Sequence, residues 1–301
     1  MTAQSLAATA AQPAADTPDA EAGVMSRSGL LRRLARDRVA AVASLVMAII
    51  ILSAVFAPWI SPYDPYEIDL ARVMMPPDAI NWLGTDNTGR DILSRLIYGT
   101  RNTLMMGLVG VLFGGFLGGV MGILAAFYRR LDGWIMRIVD ILLAFPAILI
   151  GLAVAAIAGA GITAVVIALV VATIPDVARV ARGAAIGVME QEFIEAGRAL
   201  GVSDFTLIWR YLTLNCISTI FVFLTLRFGQ IILIGSALSF LGMGAQPPTA
   251  ELGMMASQGR DFLFMAPHIA TIPSLAIFVI VLTANLLGDA IRDVLDPRLQ
   301  Q

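Results

Sequence analysis

Long runs of apolar residues constrain the fold of this chain more than any other feature. The chain has 301 residues, of which 58% are hydrophobic and only 14% are charged. A soluble domain carries about a quarter charged residues, and a helix that crosses a bilayer needs about 20 apolar residues. The composition therefore predicts an all-α polytopic membrane protein. The apolar runs are residues 39–60, 102–128, 141–175, 217–241 and 268–287.

Six transmembrane helices are predicted from these five runs. Residues 141–175 are too many for one crossing, because a helix rises about 1.5 Å per residue and the hydrocarbon core is about 30 Å thick. We expect Gly159, Ala160 and Gly161 to divide this run into a third and a fourth span. A β-barrel is disfavoured because the runs are continuous and do not alternate between apolar and polar residues.

The distribution of arginine predicts the orientation in the membrane. All twenty basic residues are arginine; with the N-terminus inside, fourteen fall in inner segments and five in outer ones. The positive-inside rule then places both termini in the cytoplasm. Residues 1–26 are predicted to be a disordered tail and 292–301 a cytoplasmic tail. Residues 27–100 are predicted to hold a signal-anchor helix and an outer loop, and 101–291 the core of transmembrane helices.

A polar segment at residues 190–204 separates the fourth and fifth spans. Gly201 suits the left-handed residue that follows a helix, and Ser203 or Asp204 suits the N-cap of the next one. The segment predicts a short helix whose apolar stripe docks into a groove of a partner. A helix lying on the membrane surface is the alternative, which the three glutamates of the segment disfavour. The residues on the predicted apolar face are Phe193, Ala196, Gly197 and Leu200.

The chain lacks the residues that several classes of function need. The single cysteine, Cys216, excludes an internal disulfide and multi-cysteine metal sites, and the single histidine, His268, excludes paired-histidine sites. We therefore expect no metal, no cofactor and no catalytic residue. The chain has no basic patch for nucleic acid, and it has no GxxxxGK[ST] phosphate loop with which to hydrolyse ATP. An intramembrane hydrolase would need a Ser–His pair or paired aspartates inside the spans.

Four motifs, in this order, resemble those of a known family. The chain is similar to the C-type inner-membrane permease subunit of bacterial ABC importers of the dipeptide, oligopeptide and nickel type. The resemblance covers nearly all of residues 30–300. The motifs are Phe56-Ala57-Pro58 with residues 61–65; Leu83-Gly84-Thr85-Asp86-Asn87-Thr88-Gly89-Arg90-Asp91; Glu195-Ala196-Gly197 with Leu200-Gly201; and residues 238–244 followed by Pro247-Pro248, 285–289 and 295–298.

The resemblance implies a fold, a set of partners and a role. It implies the type I importer permease fold, with a cytoplasmic coupling helix in residues 190–215 that resembles the family's EAA loop. Such a subunit forms half of a translocation pathway for peptides or similar small solutes in the bacterial inner membrane, among membrane lipids. Its implied partners are a homologous second permease, two ATPase subunits and a periplasmic substrate-binding protein. The implied ATPase-coupling residues are Glu195, Ala196, Gly197, Arg198, Leu200, Gly201 and Asp204.

Arg227 is the only charged residue inside the predicted spans. A charge at the centre of a bilayer costs about 2.5–3.5 kcal/mol on insertion scales, so it needs a partner or water. Either it pairs with a neighbouring acid, or it lines the translocation pathway and meets an anionic group of the cargo. Gln230 and Gly235 are the other candidate pathway positions, and the family commonly has Glu where Gly235 stands. A second departure from the family pattern is Glu251, in a segment where Ser-Trp-Gly is frequent.

Two aspartates flank the third and fourth spans. They are predicted to be helix-end caps or arginine partners rather than proton carriers, and Asp140 and Asp176 each have an arginine within one turn, Arg137 and Arg179, that fits a local ion pair. Seven glycines between residues 107 and 122 predict close helix packing, within the chain or against another subunit. The alternative function is a stand-alone secondary transporter, for which inverted repeats would be expected, and no internal repeat is evident.

Overall fold

The computed structural model describes residues 37–295, and helices are the main regular structure there. The single β-bridge in this part of the chain joins Thr85 to Asp91. The predicted tail at 1–26 and residues 296–301 lie outside the described residues. The helices are α1 (Arg38–Val55), α2 (Ala57–Ile60), α3 (Ile92–Phe127), α4 (Arg129–Ala144), α5 (Ala147–Ala158), α6 (Ile162–Met189), α7 (Glu192–Ala199), α8 (Asp204–Phe240), α9 (Leu252–Arg260) and α10 (His268–Leu295).

Five of these helices are long and apolar enough to cross a membrane, and α4 with α5 forms a sixth, bent candidate. The five are α1, α3, α6, α8 and α10, which agrees with the predicted polytopic fold. The fourth span was predicted to stop at Pro175, but α6 continues through this proline to Met189. Gly159 separates α5 from α6 as predicted, with a φ of 82° that suits glycine.

The third span is bent rather than straight. Ile141 lies inside α4, and α4 and α5 meet at an angle of 94° around Phe145 and Pro146. The bend has a local cause, because proline disfavours a helical conformation in the preceding residue, and Phe145 is extended. With 12 residues, α5 is only about 18 Å long, so it cannot cross the hydrocarbon core by itself.

The glycines of α3 pack against two neighbouring helices of the same chain. A first set of four glycines faces α6, and a Cβ atom added at any of them would come within 2.7 Å of an atom of that helix. Successive contacts advance four residues along both helices, so α3 and α6 run parallel in close contact. The second set faces α8, which runs antiparallel to α3. The first set is Gly110, Gly114, Gly118 and Gly122, opposite Leu169, Thr173, Val177 and Ala181; the second is Gly107, Gly115 and Gly119, opposite Ile232, Leu224 and Ile220.

The end of the bundle that carries α9, called the α9 end below, holds a buried ionic cluster. Asp86 accepts a hydrogen bond from the Nε of Arg90 at 2.7 Å, and its carboxylate lies 3.4 Å from the Nε of Arg95. The side chain of Arg95 is 1% exposed and donates to the carbonyls of Pro65 and Pro248. The motif around Asp86 therefore fastens the loop before α3 to the loop before α9.

Glu251 is buried at the same end and caps α9. Its carboxylate accepts hydrogen bonds from the backbone N–H groups of Gly253 and Met254, at 3.0 and 2.9 Å, and from the hydroxyl of Thr103 at 2.9 Å. Burial raises the pKa of Glu251, and these hydrogen bonds oppose the rise. Glu251, which departs from the family pattern, thus stabilises the N-terminus of α9 and joins this helix to α3.

Candidate functional site

The short helix α7 is attached to the ends of three long helices, and this region is called the α7 end. It begins three residues after α6 stops at Met189. Its Ile194 is 1% exposed and packs in an apolar cluster with Ile123 of α3, Ala185 of α6 and Leu212 of α8. Full burial of such a side chain contributes about 1.5–3 kcal/mol. This cluster therefore connects α7 to all three helices.

The turn after α7 follows the sequence prediction. Gly201 has a φ of 74°, in the left-handed region, and the N–H of Val202 donates to the carbonyl of Gly197 at 3.0 Å. This hydrogen bond closes the C-terminus of the helix. Ser203 is the N-cap of α8 and Asp204 is its first residue. Directly after this start, residues Leu207–Leu212 form a π-helical stretch.

The predicted apolar face of α7 is divided between two sides of the helix. Gly197 faces inward, where an added Cβ would lie 3.2 Å from a δ-carbon of Leu207. Phe193, Ala196 and Leu200 are exposed, Leu200 to 84%. Ile194, which the prediction omitted, is the inward anchor. Its spacing of three residues from Gly197 was a signal for a shared face.

Two aromatic contacts hold the ends of α7. The guanidinium of Arg198 lies over the ring of Phe127, the last residue of α3, at 5.6 Å from its centroid. The ring of Phe193 stacks on Tyr211 of α8, with centroids 6.2 Å apart. Arg198, predicted as a coupling residue, therefore makes a cation–π contact within this chain. Of the predicted charged residues at this site, Glu195 and Asp204 are exposed.

Arg227 forms an ion pair with Asp176 of α6. It also donates a hydrogen bond to Gln230 and lies over the ring of Phe223 at 5.8 Å from its centroid. Of the two alternatives from the sequence, pairing with a neighbouring acid is therefore present. The side chain of Arg227 remains 24% exposed and Gln230 is exposed, so both reach one surface.

Gly235 lies apart from that surface. It is buried against α6, where an added Cβ would lie 3.2 Å from a δ-carbon of Leu169. The structure brings Arg227 and Gln230 together and places Gly235 in helix packing, so a Glu at this position would displace Leu169.

The predicted local ion pairs are wrong, because the aspartates pair with arginines on other helices. Asp140 pairs with Arg179 of α6 at 2.7 Å, rather than with Arg137. Asp176 pairs across to α8, as described above. A further pair, which sequence reasoning missed, joins Arg182 of α6 to Asp132 of α4 through two hydrogen bonds of 2.6 Å each. These partners are 39 and 50 residues apart, so the spacing of charges within one helical turn gives no indication of them.

Residues 37–295 contain no group of three or more His, Cys, Asp and Glu side chains placed to hold an ion. The exposed face of α7 and the surface at Arg227 and Gln230 are the two candidate sites. The first is a surface for a partner, and the second offers a guanidinium and an amide to a polar solute.

Comparison with known proteins gives matches over most of the chain. Residues 114–301 match the family described as binding-protein-dependent transport system inner membrane component, and residues 28–77 match the N-terminal TM domain of oligopeptide transport permease C. The glutathione transport system permease protein GsiD of Pectobacterium atrosepticum is 43% identical over 274 residues, covering 89% of this chain and 90% of that protein. GsiD of Escherichia coli is also 43% identical, covering 89% of each.

A solved structure shares the fold. A chain of the MetNI methionine ABC transporter, in an inward-facing conformation, superposes with a TM-score of 0.55 and 22% identity. The superposition covers 67% of this chain and 97% of the MetNI chain.

Proposed function

Because this chain belongs to the inner-membrane components of binding-protein-dependent transport systems, we propose that α7 is its coupling helix and docks into a cleft of an ATPase subunit. Members of this family are permease subunits of ABC importers and work with an ATPase and a substrate-binding protein. This chain is accordingly a multi-pass permease of the inner membrane and not an enzyme, since separate subunits hydrolyse ATP. The comparisons do not support a stand-alone secondary transporter.

The two-sided character of α7 carries the proposal. Its inner side packs through Ile194 in one cluster with residues of α3, α6 and α8. On the other side Ala196 and Leu200 are exposed, and Phe193 is exposed in part beside Tyr211. A short helix with an exposed apolar side fits a groove in a partner. Because the apolar cluster around Ile194 contains residues of all three long helices, a displacement of α7 reaches each of them.

Cross-linking in the complete transporter tests the docking. A photoreactive residue in place of Leu200 should capture the ATPase subunit. The matched control is Phe264, which is equally apolar and 101% exposed, but lies at the α9 end; a photoreactive residue there should not capture the ATPase. Capture of lipid alone from position 200 would contradict the proposal.

The orientation follows from the same assignment. If α7 meets a cytoplasmic ATPase, the α7 end faces the cytoplasm, and so do both termini and the tails at 1–26 and 292–301. Exposed arginines at this end, such as Arg129, Arg130 and Arg137, agree with the positive-inside rule. A protease site added after residue 301 should be cut only in inverted vesicles.

The cargo is proposed to be a peptide or a similar small solute that passes between this subunit and a homologous second permease, as a heterodimer. Arg227 and Gln230 are proposed to face this pathway. The relatives at 43% identity are named for glutathione, a small anionic peptide, which fits a pathway with an arginine at its surface. Uptake of labelled glutathione, in competition with neutral dipeptides, would test the class of cargo.

A further inference from the structure

Three charged residues of α6 stand at intervals of three, in the half of the helix that leads into α7. This spacing places them on neighbouring sides of the helix. Each pairs with a residue on a helix other than α6, so α6 is joined by charge to α8 on one side and to α4 on the other. The pairs are Asp176 with Arg227, Arg179 with Asp140, and Arg182 with Asp132.

The attachment of α6 to α4 differs from its attachment to α3. The glycine contacts with α3 leave no room for a Cβ atom, so these two helices form one tightly packed pair. In contrast, Val139 is the only residue of α4 that is buried. The ion pairs are therefore a large part of what holds α4 against α6.

The two pairs between α4 and α6 are unequal. Arg179 and Asp140 share one hydrogen bond, and their side chains are 61% and 62% exposed. Arg182 and Asp132 share two parallel hydrogen bonds, and their side chains are only 32% and 30% exposed. A two-pronged contact between guanidinium and carboxylate fixes both direction and distance, and partial burial lessens screening by water. The Arg182–Asp132 pair is thus the firmer connection.

We propose that Arg182 and Asp132 form a coupling link, which transmits displacement of α7 through α6 to α4 and so to the bend at Pro146. Both are positioning residues, because they act through helices rather than by touching ATP or cargo. The proposal rests on the role of α7 as coupling helix. It adds α4 and the bent third span to the elements that respond to the ATPase.

The test measures ATP hydrolysed per solute imported. The complete transporter, with its second permease, ATPases and binding protein, is reconstituted in vesicles. In Asp132→Asn and in Arg182→Gln, hydrolysis should continue while import falls. We expect the ratio to rise about tenfold, a change that loss of one charge-assisted hydrogen bond can produce. Arg182→Lys keeps the charge but loses the two-pronged contact, and its ratio should lie between those of Arg182→Gln and the wild type.

An exchange of the two charges separates coupling from assembly. Asp132→Arg combined with Arg182→Asp should return the ratio toward the wild-type value. Asp78→Asn, which removes the ion pair with Arg72 in the loop before α3, is the matched control and should leave the ratio unchanged. A purely structural role would reduce the amount of complex but leave its ratio normal.

Two results would overturn the link. One is a wild-type ratio in assembled Asp132→Asn; the other is an exchanged protein that assembles but stays uncoupled. If Asp132→Asn and Arg182→Gln fail to assemble, Arg182→Lys decides, because it keeps the charge pair: a wild-type ratio in assembled Arg182→Lys would overturn the link. Failure of the coupling-helix proposal itself would appear separately, as absence of cross-linking from position 200 in the wild-type complex.

Discussion

The α9 end and the α7 end of the bundle satisfy their charged residues in different ways. At the α9 end, Arg95 and Glu251 are almost fully buried; Arg95 donates hydrogen bonds to two segments, and Glu251 accepts them from two. At the α7 end, the ion pairs of α4 with α6 are partly or largely exposed, and each joins only two helices. Buried polar networks resist change because an unpaired member is costly, whereas exposed pairs exchange with water at little cost.

This difference indicates a rigid end and an adaptable end. The α7 end also contains the π-helical stretch at the start of α8, an irregularity that often marks functional sites. The elements proposed to respond to the ATPase therefore lie where local changes cost least. Four variants test whether the two ends differ in this way.

The largest loss of stability is expected for Glu251→Ala at the α9 end. It leaves two backbone N–H groups and the hydroxyl of Thr103 without their acceptor, and each such buried donor costs about 1–3 kcal/mol. We expect a loss of about 3 kcal/mol or more in the free energy of unfolding. Thermal denaturation in detergent measures it, with Glu190→Ala, an exposed glutamate before α7, as the control. Equal melting temperatures for the two variants would remove the distinction between the ends.

Next in size is Ile194→Ala, which removes the anchor of α7. Such truncations cost about 2–5 kcal/mol when the site is fully buried. Since Ile194 is the larger of the two buried residues of α7, we expect local detachment and loss of import. The control, Leu200→Ala, should retain stability but bind the ATPase more weakly. Melting curves and co-purification of the ATPase distinguish the two, and a stable, fully active Ile194→Ala would refute the anchoring.

A smaller effect is expected for Arg227→Gln. It leaves Asp176 without its ion-pair partner at a position about a quarter exposed, which we expect to cost about 1–2 kcal/mol, less than for a fully buried pair. If Arg227 also meets the cargo, import of anionic solutes should fall more than that of neutral ones. Parallel uptake assays check this, and equal import of every solute would remove Arg227 from the pathway.

The smallest effect is expected for Asp140→Asn. Exposed ion pairs contribute about 0–1 kcal/mol, so stability and import should change little. Comparison with Asp132→Asn in the same assays isolates the contribution of the two-pronged, partly buried pair. An Asp140 variant as impaired as the Asp132 variant would show that charge on α4, rather than the geometry of one pair, matters.

Features that depend on nearby residues could be predicted from the sequence. The stop at Gly201, the cap at Ser203 and the division at Gly159 each depend on a few neighbouring residues, and the structure has all three. Pro146 likewise gives a local reason for the bend of the third span, because proline disfavours a helical conformation in the residue before it. The spans themselves follow from length and hydropathy.

Features set by the register between helices could not be predicted. On a helix of eight residues, Phe193 and Ile194 are both apolar, and the positions of α3, α6 and α8 decide which one is buried. The partners of Asp140 and Asp176 depend in the same way on how far each helix slides along its neighbour. The spacing within one turn favours the arginine that is near in sequence, whereas helix packing brings an arginine that is distant in sequence closer in space.

The glycine contacts between α3 and α6 restrict how this subunit can open. Four contacts repeat at the same interval, so a partial slip of one helix along the other would press side chains such as Leu169 and Thr173 into backbone. The two helices are consequently expected to travel together during a transport cycle. Any passage for a solute must then widen along a different seam, beside α4, α5 or α8.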